Sequence, residues 1–348
     1  MKQISNRSNL SSLLCCLLGL LFVSRLSAQP PKIHILDSGK ATNLRGISYS
    51  SDGQIWVSGS NGYTAQSKDG GRTWRWHLIS HFQNRDFRDI QALGHNTAIT
   101  IGVDTPAIIL RTSDGGQHWQ KVYENNRPGM FLDALDFIDN KTGAVLGDPV
   151  NNHPFILFTK DAGLSWHEKS SDLKEQTKAG EAFFAASGTN IILTPNANLQ
   201  LISGGTTSRF WKEGFGVIPL PFQQAVPTAG PNGMAIKGNI IAVVGGDFTH
   251  PENGDSALAI SYNRGLHWQA PKNLPGYGSG VAVLCDSTIV CRGLRGVWIS
   301  YNAGSSWSTI SSQPFNSILY LEQSKKIFLV GPNGSIAVIE ENRSEAAL

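Results

Sequence analysis

Three carboxylates stand just after glycine-ended apolar runs: Asp104 in IGVD, Asp148 in LGDP and Asp247 in GGD. Arg45, Arg88 with Asp89, Asp133, Glu181, Ser279 and Asn316 stand instead at the beginnings of apolar runs. Arginines and carboxylates converging on one cleft suit a polar ligand or a protein segment, through charge-assisted hydrogen bonds. Two carboxylates, such as Glu181 with Asp148 or Asp247, are also the equipment of glycosidic hydrolysis, one protonating the leaving oxygen while the other attacks or activates water. Each of these residues reads equally well as a loop cap, bonded to free backbone groups at a strand end.

Other chemistries lack their residues. The nine His are scattered, and His77 and His81, four apart, sit in what reads as strand and loop, so no metal site is expected. There is no G-x-S-x-G elbow, phosphate loop or dinucleotide fingerprint, and no cofactor is expected. Residues 1–28 read as a signal peptide, with Lys2 and Arg7 ahead of an apolar run and Leu26-Ser27-Ala28 at its end. The expected location is therefore periplasmic or extracellular. Removing that leader takes three of the 29 Lys and Arg and none of the 26 Asp and Glu, leaving no net charge. A nucleic-acid binder driven by counterion release would carry a basic excess. Cys285 and Cys291, on apolar runs flanking one turn, read either as a disulfide or as two free thiols.

What must position these side chains is legible as a repeat. The pattern Ser/Thr-x-Asp/Asn-x-Gly-x-x-Trp occurs five times: SKDGGRTW with Asp69 and Trp74, TSDGGQHW with Asp114 and Trp119, TKDAGLSW with Asp161 and Trp166, SYNRGLHW with Asn263 and Trp268, and SYNAGSSW with Asn302 and Trp307. Its physics is a hairpin corner, in which Asp or Asn bonds nearby backbone N–H groups, Gly takes left-handed angles and Trp packs inward. These residues are structural. Two strand-like runs precede each copy, so a unit is four short antiparallel strands. A copy without the motif spans about 181–222, and the last, 316–340, has three strands and needs a fourth from Ile33–Leu36.

The expectation is an all-β, seven-bladed β-propeller over 33–341, closed by both termini, after a short linker 29–32 and before a tail 342–348. Trp56, Trp211 and Trp298 then read as packing between blades. First-strand starts and second-strand ends open on one face of such a ring. That places Arg45, Arg88, Asp89, Asp104, Asp133, Asp148, Glu181, Asp247, Ser279 and Asn316 around a channel mouth, together with Asn333.

The turn motif resembles the Asp-box, or BNR, repeat of sialidases and other secreted propellers. The stretches FRDIQA from Phe87, GDPV from Gly147, GEAFFAASGTN from Gly180 and GGDF from Gly245 resemble bacterial exported proteins described as photosystem II stability/assembly factor-like. This resemblance implies a monomeric, non-catalytic propeller that holds an envelope or membrane protein partner. A sialidase-like glycoside hydrolase acting on a polar saccharide is the alternative, with Glu181, Asp148 or Asp247 as carboxylates, Tyr277 as nucleophile and Arg209 joining Arg45 and Arg88. The Arg-Ile-Pro-like run that accompanies sialidases is absent.

Overall fold

Runs of β-branched and aromatic residues cut short by Gly, Asn, Asp and Ser turns give strands too short to bury a face alone, so they stack as small sheets. The computed structural model describes residues 31–169, 173, 175–271 and 274–340. The leader read at 1–28 and the tail at 342–348 lie outside the described residues. Seven antiparallel sheets follow one another along the chain as a seven-bladed β-propeller. Blade 1 covers 44–78, blade 2 87–125, blade 3 132–168, blade 4 181–219, blade 5 229–261, blade 6 280–311 and blade 7 317–340. First strands of successive blades lie side by side, and Leu44–Tyr49 of blade 1 meets Ser317–Leu321 of blade 7, which closes the ring.

Closure uses both ends of the described chain. Lys32–Asp37 pairs antiparallel with Ile336–Glu340, Ile33 opposite Ile339, and is the fourth strand of blade 7. Side chains pack between blades: Ile99 and Ile101 of blade 2 meet Leu132, Val145 and Leu157 of blade 3. Trp56, Trp211 and Trp298 are buried in these seams, as the sequence indicates.

Each Asp-box closes the hairpin between third and fourth strands. Asp69 accepts the Arg72 and Thr73 N–H groups at 3.0 and 2.9 Å and the Thr73 hydroxyl at 2.6 Å. These hydrogen bonds hold its carboxyl down at about 2, against a small opposing effect of burial. Gly71, at φ 89°, then lies against Phe328 of the preceding blade, so a Cβ there would clash. Gly163 meets Ile99 and Gly265 meets Phe210 in the same way. The motif is thus both a turn and an inter-blade contact.

Two blades depart from four regular strands. In blade 4 the first-strand position is split: Glu181–Ala182 pairs with one end of Leu199–Gly205 and Ile191–Leu193 with the other. In blade 5 the fourth strand shrinks to a single bridge between Ile260 and Gln269, because Pro271 follows and has no N–H to extend the ladder. Cys285 and Cys291 are both free thiols, Cys291 buried and Cys285 exposed. Register explains why no disulfide forms. Cys291 stands opposite Val281, roughly 13 Å along the strand from Cys285, whereas a disulfide needs Cα atoms within about 7 Å.

Candidate functional site

Second-strand ends and first-strand starts converge on one face of the ring. They enclose a cavity of about 490 Å³ lined by residues of all seven blades, including Arg45, Arg88, Asp148, Asn232, Ser279 and Asn316. Its floor is the segment that splits the blade 4 first strand. Residues 183–190 leave blade 4 and cross the channel: Ser187 accepts the Ser317 hydroxyl of blade 7 through its carbonyl at 3.2 Å and donates to the Asn232 carbonyl of blade 5 at 3.3 Å. Gly188, at φ 71°, lies so close to Asp89 of blade 2 that a Cβ would sit 2.4 Å from the carboxylate. The channel is therefore a blind cup.

Part of the lining is apolar. Phe131, Phe184, Phe248 and Leu294 form it, with Phe184 and Phe248 edge to face at 6.0 Å and both Phe248 and Leu294 41% exposed. Charged side chains stand among these rings. Arg88 pairs with Asp86 at 2.8 Å and lies over Phe131. Arg45 is half-buried with a buried Nε that bonds no described residue. Burial, then the neighbouring Arg88, lowers its affinity for a proton. Behind the wall, Arg292 is fully buried and donates to the Ser279 hydroxyl and carbonyl and to the Phe315 carbonyl. Burial pulls its guanidinium down to about 9. Tyr277 is buried beside Arg292 and Arg45, and burial raises its phenol.

The carboxylates divide. Asp148 lines the cup and accepts the Phe183 N–H at 3.2 Å, and burial raises its carboxyl. Asp133 lies at the bulge of Leu132–Phe137, wholly buried, with neither oxygen bonded to a described residue. Burial, then Asp148, pushes its carboxyl well up, while Arg88 opposes them. Asp89 faces inward, capping the Ile90 and Leu135 N–H groups at 2.8 Å each.

Other residues read from the sequence stand elsewhere. Asp104 is exposed, its carbonyl held by Arg85. Asp247 turns to Thr249 and His250, at 2.7 and 2.9 Å; burial opposes its ionisation, but these bonds hold its carboxyl below the usual range. Glu181 is buried in a two-pronged ion pair with Arg209 at 2.9 and 2.5 Å and also accepts the Ser203 hydroxyl and Lys178 N–H. Neither Glu181 nor Asp247 lines the cup, so the carboxylate pair of the hydrolase alternative is not brought together there. Both members of the Glu181–Arg209 pair act as the capping reading describes.

The sequence reasoning passed over Asp86, Asn232, Arg292 and the aromatic wall. Asp86, two residues before Arg88, was readable from spacing, whereas Arg292 sits in an apolar run with nothing to distinguish it. A larger cavity, about 810 Å³, lies between blades 3 and 4. Here blade 4 joins its last strands by the short turn after Lys212, without an Asp-box. Among its lining residues Lys169 pairs with Glu213 at 3.2 Å and Asp161 accepts the Ser165 hydroxyl at 2.6 Å.

Residues 31–131 match the family described as Photosynthesis system II assembly factor YCF48. No curated protein matches the chain. Among solved structures, YCF48 bound to D1 peptide is 18% identical, with TM-score 0.61 over 89% of this chain and 99% of that one. YCF48 from Cyanidioschyzon merolae is 16% identical, with TM-score 0.64 over the same shares. A GH74 enzyme of Niastella koreensis, 16% identical with TM-score 0.60, covers 90% of this chain and 54% of its own. The propeller is common to all three, and the family match singles out the first two. This chain is a BNR-repeat β-propeller similar to the photosystem II assembly factors.

Proposed function

We propose that this chain is an exported, non-catalytic propeller that docks a segment of a partner protein in the cup at the channel mouth. The observation that carries the reading is the cup itself: a blind cavity whose lining combines Phe131, Phe184, Phe248 and Leu294 with Arg45, Arg88 and Asp148. Such a surface offers hydrophobic area at its centre and charged groups to fix register, which is how a protein segment is held. The likeness to YCF48, one structure of which is described as bound to D1 peptide, supports a peptide as the ligand class. An envelope or membrane protein is the partner this reading favours, and a single copy of the chain suffices to form the cup.

Arg88→Glu combined with Asp148→Ala reverses one charge and removes another at the cup while leaving the Asp-box turns intact. Affinity purification from the native envelope is expected to recover a defined protein with the wild type and at least about tenfold less with the double variant, since a lost charged hydrogen bond costs about 1.5–3 kcal/mol. Equal recovery by both chains, with the variant folded, would remove the cup from the interaction.

A further inference from the structure

Among the described residues, the large apolar side chains that stand exposed fall in three places. Phe248 and Leu294 belong to the cup, and Ile35 and Leu78 lie on outermost strands. The others, Leu164, Phe215, Tyr262, Leu266 and Tyr301, occupy the corners between third and fourth strands of blades 3, 4, 5 and 6 in succession. These corners stand on the face opposite the cup. In an Asp-box the hydroxyl, Asp or Asn, Gly and Trp positions serve the turn. In blade 5 the Ser261 hydroxyl accepts the Gly265 N–H at 2.8 Å, Asn263 accepts the His267 N–H at 2.8 Å, and the Trp268 ring N–H donates to the Gly265 carbonyl at 3.0 Å. The second and sixth positions place no demand on side-chain type. They are Lys68 and Arg72 in blade 1 and Ser113 and Gln117 in blade 2, but Tyr262 and Leu266 in blade 5. The third position changes with them, from Asp69, Asp114 and Asp161 in blades 1–3 to neutral Asn263 and Asn302 in blades 5 and 6. One arc of the rim is thus uncharged at its turns and apolar at its tips, which turn chemistry alone does not require.

Contacts between blades join these tips into one surface. The Lys212 ammonium lies over the Phe215 ring at 5.5 Å and donates to the Arg264 carbonyl at 3.1 Å, and Gly304 of blade 6 lies against Leu258 of blade 5. Lys212 and the exposed Arg264 bring positive charge to it. The one carboxylate within the corners of blades 4–6, Glu213, is buried and paired with Lys169, while Asp286 stands on the inner turn of blade 6, nearer the axis. Side chains on separate protruding tips bury little against a flat, rigid partner. The headgroup region of a bilayer admits each tip by itself, apolar rings below and cations at the phosphates. We propose that the outer corners of blades 4–6 dock on an anionic lipid surface, with Phe215, Tyr262 and Leu266 dipping among the headgroups and Lys212 and Arg264 meeting the phosphates. The cup, on the opposite face, then opens away from the bilayer. This arrangement does not depend on what the cup binds.

Vesicle flotation tests the proposal. A chain beginning at residue 29 keeps every strand of the closed ring and leaves the apolar run of residues 9–23 out of the measurement. It is mixed with vesicles of phosphatidylcholine, either alone or with about three-tenths phosphatidylglycerol. Binding to the anionic vesicles is expected, falling as sodium chloride rises from about 0.05 to about 0.5 M. The double variant Tyr262→Ser with Leu266→Ser is expected to bind about tenfold more weakly or less, since both side chains lose their apolar insertion. Phe215→Ser, on the neighbouring blade, supplies an independent variant should the double one fail to fold. Leu78→Ser removes a comparably exposed side chain from blade 1 and is expected to bind as the wild type does. No binding to anionic vesicles, equal binding to neutral ones, or equal losses in Leu78→Ser and the arc variants would overturn the assignment. Sedimentation without lipid decides against a second copy as the occupant. A single monomeric species at every concentration is expected, whereas dimerisation abolished by Tyr262→Ser with Leu266→Ser would give the arc to a second chain and overturn the lipid reading.

Discussion

Replacing Arg209 by Met is expected to lower the unfolding free energy by about 3–5 kcal/mol, because it strands the Glu181 carboxylate in the interior without its counter-charge. Glu181 has no exposed side-chain surface and Arg209 only 9%. The Arg209 guanidinium also lies 4.3 Å over Trp211, whose ring N–H donates to the Ser203 hydroxyl that itself serves Glu181. One substitution therefore disturbs a closed network. The double variant Arg209→Met with Glu181→Leu is expected to regain much of the loss, since removing both charges also removes the desolvation cost. Urea unfolding of the two variants measures this. A single variant within about 1 kcal/mol of wild type would mean that the pair is not the structural clamp described.

Deleting Lys32–Asp37 is expected to cost about 5 kcal/mol or more, from five paired ladder positions at about 1 kcal/mol each. It also removes Leu36 from its packing with Leu44, Val57 and Ile336, and the 2.9 Å hydrogen bond from the Trp76 ring N–H to Asp37. Ile336–Glu340 would become an open sheet edge, an invitation to pair with other chains. Lower urea midpoints and concentration-dependent aggregation are the expected readouts, with partial rescue by a synthetic KIHILD peptide added in trans. An unchanged midpoint would mean that the ring closes without this strand.

The architecture was open to sequence reading because the Asp-box repeats five times with its Trp at constant spacing, and each element of it obeys local turn chemistry. Even the closing strand could be assigned, since blade 7 lacked one and Ile33–Leu36 was spare. The site was legible only in outline. Arg45, Arg88, Asp148, Ser279 and Asn316 reach the cup because propeller geometry sends strand starts and ends to one mouth. Asp89 and Glu181 fit the same positional rule but turn into the protein, and Arg209, at the start of a third strand, turns in with Glu181. Their direction depends on bulges and on partners far along the chain, such as Leu135 for Asp89, which no local pattern encodes. The crossing segment 183–190 was invisible for a similar reason. Its stretch FFAASGTN has neither strand alternation nor a turn motif, and its path is set by contacts with blades 2, 5 and 7.

The central claim, that a partner segment sits in the cup, is tested most directly by site-specific photocrosslinking. Benzoylphenylalanine is placed at Leu294, 41% exposed at the mouth, and separately at Leu164, 55% exposed in the Asp-box turn on the opposite face. Irradiation in the native envelope is expected to join Leu294 to one partner segment, and the same crosslink should fail when Arg88→Glu and Asp148→Ala are added. Capture at Leu164 and not at Leu294, or a Leu294 crosslink indifferent to those substitutions, would contradict the account.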